Sequence, residues 1–330
     1  LIKLKNNDFI MPDDITVSEY LRDWLDTYGK EHLAKTTLEN YNMNIEKHII
    51  PYLGSIKLQE LKPMHISKFL TIMSREGRHD KKGGLAKGTV LKIHKILTRA
   101  LNNAVKLQIL EKNPAVYVDA PKLDHAATNV LKLDEIRKFF DVIEGTKMEV
   151  PCKLAIGLRR GEIFGLKWED IDFNNSTITI KRTLARITGE IFFKDPKTQK
   201  SRRTLVLPQD LIDMLRKHRK KQLEYKILLG NEYQDNNLIC CKDNGEPINP
   251  NTFSRAFKDF LERYDFPKIR FHDLRHTFAT VLIAHNVSPK IASSVLGHTN
   301  ISTTMDLYSH VLVDMKKDVA DTIGRVTFRN

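Results

Sequence analysis

Apolar residues recur at helical spacing through the first third of the chain. Val17, Tyr20, Leu21, Trp24, Leu25 and Tyr28 line one stripe, and Thr16 with Glu19 three residues on has the form of a capping box. A second helix is expected from Lys35, with Leu38, Tyr41, Ile45, Ile49 and Ile50 inward, ended by Pro51-Tyr52-Leu53-Gly54. A third covers 63–73, with Ile66, Phe69, Leu70 and Met73 on one face. The stretch 78–88, with three glycines and four Lys/Arg, reads as a loop. A fourth helix is predicted over 89–106, apolar at Val90, Ile93, Leu97, Leu101 and Val105, with Lys92, Lys95 and Arg99 opposite. This part predicts an all-helical bundle with one basic side, and Tyr20, Tyr28 and Tyr41 read as its core aromatics.

Asn113-Pro114 stops the pattern, and 120–129 (APKLDHAATN) has no apolar period. The expected division is a tail over 1–14 left from an upstream segment, a helical domain over 15–119, a linker over 120–130 and a second domain over 131–330. In that domain an amphipathic helix is predicted over 131–143, then three short strands over 177–187, 190–193 and 204–207. Thr188-Gly189 makes the first turn, and Asp195-Pro196-Lys197-Thr198 opens the second. Helices return over 209–228, 251–264, 272–285, 289–296, 303–309 and 311–323. The expected fold class is therefore mainly α with a small antiparallel β-sheet, in two domains.

Composition sharpens this picture. At about 150 residues per domain, 330 residues fit two. A periodic hydrophobic fraction of 41% excludes disorder for the bulk of the chain. No apolar run reaches the roughly 18 residues of a membrane span, and no secretory signal is visible. Three cysteines, Cys152, Cys240 and Cys241, are too few and too poorly spaced for a disulfide framework or a zinc site, and suit a reducing cytoplasm. Charge is decisive. The chain carries 54 Lys+Arg against 41 Asp+Glu, and the excess is clustered. Residues 57–112 hold thirteen Lys/Arg and four Asp/Glu, and 194–226 hold eleven and four, whereas 13–46 hold three and eight. Two basic blocks, one in each half, point to a polyanion, because phosphate neutralisation dominates affinity for nucleic acid.

Three segments carry candidate chemistry. They are Gly157-Leu158-Arg159-Arg160-Gly161-Glu162, His272-Asp273-Leu274-Arg275-His276, and Leu296-Gly297-His298 followed by Ser302-Thr303-Thr304 and Tyr308-Ser309-His310. Each alone is weak. Together, in this order and at these spacings, they resemble the tyrosine recombinases, or phage-type integrases, and the resemblance covers nearly the whole chain. It implies a C-shaped clamp, with a helical core-binding domain and a mixed α/β catalytic domain closing on a duplex from opposite sides.

Attack on a phosphodiester builds charge on the phosphoryl oxygens, and planar bidentate guanidinium groups answer it. Arg159 and Arg275 suit that role, with Arg160 as a solvated neighbour. Glu162 lies one turn from Arg159, and the resemblance makes it an orienting acid. His272 shares a turn with Arg275 and would hold the attacking phenol or assist proton transfer. His298 would donate to a phosphoryl oxygen, whereas His276 and His310 read as structural groups. Lys197 is implied as the lysine that protonates the leaving 5′-oxygen, with Lys194 and Lys200 as alternatives. Tyr308, ten residues after His298, is the expected nucleophile, forming a 3′-phosphotyrosine without ATP, metal or other cofactor.

Two features depart from the family pattern. Ile156 stands where a small hydroxyl residue is common, and the apolar run 150–156 is shorter than the buried helix expected before Arg159. For DNA contacts, Lys92, Lys95 and Arg99 are candidates on the fourth helix, and Lys35, Thr36 and Thr37 at the start of the second. The implied partners are a double-stranded recombination site, further copies of the chain docked through helix 311–323 as a dimer to tetramer, and accessory DNA-bending proteins. The implied function is integration or excision of a mobile element through a Holliday junction. A type IB topoisomerase and a non-catalytic DNA-binding regulator are the competing readings.

Overall fold

The structure is a computed structural model that describes residues 14–78, 80, 82–123, 130–187, 189–194, 202–285, 287–297 and 305. It resolves into two compact units, divided between Ala126 and Ala127.

The first unit is helical. Thr16 caps α1 (Val17–Trp24): its hydroxyl accepts from the Glu19 amide, and the Glu19 carboxylate accepts from the Thr16 amide at 2.9 Å. The helix then widens into a π-turn over Leu25–Gly29 before a last turn at Lys30–His32. The same happens in α2 (Lys35–Asn44), which passes through a π-turn at Ile45–Ile49 into Ile50–Leu53. Each wide turn inserts about one extra residue and so rotates the following side chains relative to the preceding stripe. The helix ends within the expected Pro51-Tyr52-Leu53-Gly54 segment, at Leu53 with Gly54 as its C-cap, and not at Pro51 itself. The chain continues through it, and the Gly54 amide still donates to the Ile50 carbonyl at 2.9 Å.

Helices α3 (Pro63–Glu76) and α4 (Lys87–Lys106) complete the unit. The core gathers Leu21, Trp24, Ile45, Ile49, Phe69, Met73, Ile93 and Leu97, all at most 2% exposed. Tyr20 is buried too, and its hydroxyl donates to the Ala100 carbonyl at 2.7 Å, tying α1 to α4. Tyr28 and Tyr41 are half-buried and stack on either side of Trp24.

The second unit is mainly helical with antiparallel strands. Helix α5 (Leu133–Ile143) packs Phe139 edge-on against Phe257 and Phe266. Helix α6 (Glu149–Leu154) has only six residues, yet Val150, Pro151, Cys152 and Leu154 are all buried, so the short apolar run still floors the segment leading to Arg159. Helix α7 (Arg160–Gly165) follows.

Five strands occur among the described residues, not the three expected: β1 (Ile171–Asp172), β2 (Thr177–Ile180), β3 (Thr183–Ile187), β4 (Glu190–Lys194) and β5 (Arg203–Val206). They form a three-stranded sheet in the order β1-β2-β5 and a separate β3-β4 ribbon. The expected single strand over 177–187 is divided at Lys181-Arg182 because both side chains turn to acids. Arg182 binds the buried Asp170 and, at 2.8 Å, Glu169, while Lys181 lies 3.4 Å from Asp170. These pairs break the alternation and send the chain into a second ribbon.

Helix α7 lies directly on the backbone of that ribbon. A side-chain carbon at Gly161 would come within 2.9 Å of the Leu184 carbonyl, and one at Gly165 within 2.9 Å of the Leu184 amide. Helices α8 (Gln209–Leu229), α9 (Pro250–Arg263), α10 (Asp273–Ala284) and α11 (Pro289–Leu296) complete the unit. No described helix is long and apolar enough to cross a membrane.

Candidate active site

Arg159 occupies the N-cap of α7 in an extended conformation. Its amide donates to one oxygen of Glu162 at 2.9 Å and its guanidinium to the other at 2.7 Å. The i, i+3 spacing makes this possible, because the acid one turn up reaches back over the helix start. The Arg159 side chain is 33% exposed, so its guanidinium still meets solvent.

Glu162 is held from a second side. Arg203, the first residue of β5, donates to both its oxygens at 3.2 and 3.0 Å, and to the Gly157 carbonyl at 2.8 Å. Burial works against the Glu162 charge, but the Arg203 and Arg159 bonds outweigh it and hold the carboxyl below its ordinary range.

Arg275 comes from α10 and is only 1% exposed. One nitrogen donates to the same Gly157 carbonyl at 3.1 Å and another to the Leu296 carbonyl. Burial, then the neighbouring Arg159 and Arg203, push its guanidinium down to about 9, with Glu162 opposing them. The turn after α11 closes the arrangement. Gly297 adopts the left-handed region (φ +61°), its carbonyl accepts from Arg159, and a side-chain carbon there would lie 2.6 Å from the centre of the Arg203 guanidinium. Both the backbone angle and the space call for glycine. The result is a cluster of three guanidinium groups, two of them on one buried carboxylate and the third joined to it through the shared Gly157 carbonyl, a preorganised cationic site suited to a phosphoryl group.

His272 immediately precedes α10 and meets His276 edge-on, with ring centroids 5.1 Å apart. The residue as a whole is exposed. Partial desolvation, then His276 and Arg275, push its pKa down to about 4, so the imidazole is neutral at pH 7. Burial lowers His276 as well, and its Nδ1 has no partner among the described residues, which departs from the satisfied structural group expected. Between about pH 6.5 and 4, the unfolded chain therefore binds protons that the folded one refuses. Thermal stability is expected to fall as pH drops through that window. His272→Gln should flatten the decline, which unfolding temperatures at pH 7.5, 6 and 5 will show.

The structure thus brings Arg159, Glu162 and Arg275 together, with His272 one turn from Arg275. Lys197, His298 and Tyr308 lie outside the described residues, as do Lys200 and His310. Lys194 ends β4. Arg160 corrects an expectation: it is half-buried rather than solvated, and donates to the Ser254 hydroxyl at 2.7 Å and the Pro250 carbonyl at 3.3 Å. Arg203 was missed by sequence reasoning. Its signal is the period of two in β5, where Arg203 shares the inward face with Leu205 and Leu207 while Arg202, Thr204 and Val206 are exposed.

In the helical unit, Lys92 and Lys95 are exposed on α4. Arg99 is exposed too, but its guanidinium donates to the phenols of Tyr28 and Tyr41 at 3.3 and 3.4 Å and sits 5.7 Å above the Tyr28 ring. Lys35 is exposed at the start of α2, whereas Thr36 and Thr37 are half-buried and the Thr37 amide turns back to the Ala34 carbonyl at 2.7 Å. No group of three or more His, Cys, Asp or Glu able to hold a metal occurs among the described residues.

Two family models match the chain: the phage integrase family over residues 129–315, and the phage integrase N-terminal SAM-like domain over 16–74. The chain is 28% identical over 340 residues to a XerC-like tyrosine recombinase of Caldanaerobacter subterraneus subsp. tengcongensis, covering 97% of this chain and 84% of that one. Its fold is similar to the Tn1549 transposon integrase in complex with transposon right end DNA, with a TM-score of 0.74 and 22% identity, covering 94% and 100% of the two chains. It is also similar to a lambda integrase tetramer bound to a Holliday junction, with a TM-score of 0.65 and 20% identity, covering 89% and 78%. The chain belongs to the phage integrase family of tyrosine recombinases, enzymes of site-specific recombination that cleave and rejoin DNA.

Proposed function

We propose that the chain is the integrase of a mobile element, acting in the cytoplasm on a double-stranded recombination site. The single observation that carries this reading is the cluster in which Arg159 and Arg203 grip Glu162 while Arg203 and Arg275 share the Gly157 carbonyl, with Arg159 open to solvent. A scissile phosphate seated against Arg159 and Arg275 has its developing charge met by fixed donors. The Tyr308 phenol attacks phosphorus, the bond to the 5′-oxygen breaks, and a 3′-phosphotyrosine forms. Lys197 gives the leaving oxygen its proton. Neutral His272 takes up or relays the phenol proton, and His298 donates to a phosphoryl oxygen. The ester keeps the bond energy, so attack by the 5′-hydroxyl of a partner strand reverses the step and exchanges strands through a Holliday junction.

Both units contact the duplex. Lys92, Lys95, Arg99 and the Lys35-Thr36-Thr37 turn supply backbone contacts from the helical unit. Further copies, joined through 311–323, complete a dimer or tetramer on DNA, and accessory DNA-bending proteins shape the site; the lambda integrase likewise binds a Holliday junction as a tetramer.

The test begins with selection of a binding site from a random duplex library, followed by incubation of that site, nicked near its centre, in excess EDTA. The expected result is a detergent-resistant protein–DNA adduct whose peptide maps to Tyr308. A strict metal requirement, or relaxation of plasmid without site preference, overturns the reading.

A further inference from the structure

We propose that Arg203 is a positioning residue that sets both catalytic arginines through the partners it shares with them, an inference that rests on the recombinase reading above. It shares both oxygens of Glu162 with Arg159, and the Gly157 carbonyl with Arg275. Its guanidinium also lies beneath Gly297, whose carbonyl takes a hydrogen bond from Arg159. Arg203 is 10% exposed against 33% for Arg159, so it stands behind that cation, and Arg275 is buried with it.

Two physical effects follow. The first is geometric. A carboxylate gripped from one side swings about its last bond, whereas Glu162, forked between two guanidinium groups, has one orientation and hence fixes that of Arg159. The second is electrostatic. A lone Glu162 beside Arg159 cancels the charge that a phosphate is to feel. Arg203 balances Glu162 instead, leaving the charge of Arg159 for the substrate. Arg203 also lies six residues after Lys197 on the same stretch of chain. The strand that leaves the expected proton donor therefore begins at the residue that anchors both cations.

The experiment uses the full chain carrying Arg203→Met, Arg203→Lys and Glu162→Gln, singly and combined, with the nicked duplex selected above as probe. Adduct formation, DNA affinity by fluorescence anisotropy, and unfolding temperature are measured, together with carbon-detected titration of the Glu162 carboxyl in DNA-free protein. Arg203→Met is expected to slow adduct formation about a hundredfold while affinity stays within about threefold, since misplacement and not lost binding is the defect. Arg203→Lys should recover part of the rate. In the Glu162→Gln background the same Arg203 change should cost less than about tenfold, because no charge is left to balance. The Glu162 carboxyl should titrate higher in both Arg203 variants.

An unchanged rate in Arg203→Met overturns the proposal, as does an equal fold-loss in both backgrounds, which marks a residue that only supports the fold. If Arg203→Met does not fold, Arg203→Lys carries the same comparisons. The carboxyl titration needs no DNA. Its failure rejects the assignment of Arg203, whereas absence of any adduct with the unaltered chain rejects the recombinase reading.

Discussion

Tyr308→Phe is expected to leave DNA binding intact and to remove the covalent adduct, a loss of at least about 10⁴-fold in cleavage. The substitution keeps the ring and its packing and deletes one oxygen. Without that oxygen no ester to the 3′-phosphate can form, and water is a poor replacement because it is not held in line with the 5′-oxygen. A phenol has an ordinary pKa of about 10, so its attack depends on cations that favour the developing negative charge. In the proposed mechanism Arg159 and Arg275, held by carbonyls and a carboxylate, supply that environment. Detergent gels of the nicked-substrate reaction, with peptide mapping of the unaltered chain, check the result. A persistent adduct in the variant assigns the nucleophile to another residue.

Arg275→Met is the second large effect, and it separates activity from stability. Adduct formation should fall by at least about 10²-fold, as when a fixed donor to a developing oxyanion is removed. The unfolding temperature should move by only a few degrees, because two opposing terms nearly cancel. The carbonyls of Gly157 and Leu296 each lose a donor from Arg275, which costs about 1–3 kcal/mol for an acceptor left unpaired. Gly157 keeps its bond from Arg203, which reduces that loss. Against it, a buried cation beside Arg159 and Arg203 is removed, and burial and those like charges already push it down to about 9. An apolar side chain of similar length is tolerated where an unbalanced buried charge stood. The same logic predicts that inorganic phosphate stabilises the unaltered chain more than the variant. A collapse of the unfolding temperature without specific loss of cleavage makes Arg275 a structural residue.

The expected helices of the first unit could be read from spacing because Val17, Tyr20, Leu21 and Trp24 alternate cleanly with charged residues. The π-turns at Leu25–Gly29 and Ile45–Ile49 could not be read. A wide turn displaces the stripe by one residue, and Ile45 with Ile49, four apart, looks the same in either helix type. The stretch 177–187 reads as one strand because Ile178, Ile180, Leu184 and Ile187 suit a strand on both sides of Lys181-Arg182. What divides it is the buried Asp170, distant in kind from any strand signal, which captures Arg182. In the site, Arg159, Glu162, His272 and Arg275 were legible as types at spacings that one helical turn brings together. Arg203 was not, because its partners are 41 and 46 residues away, and only a fold places a strand against a helix start. Arg160 and Arg159 are neighbours in sequence, and their different fates follow from α9, whose Ser254 receives Arg160.

The missing side chains at Gly161 and Gly165 have a mechanical consequence. With no cushion of carbon between them, α7 and the β3-β4 ribbon meet backbone to backbone and form a stiff plate. Any displacement of the ribbon is passed undamped to the helix start, so the aim of the Arg159 guanidinium there and the position of the ribbon are parts of one lever.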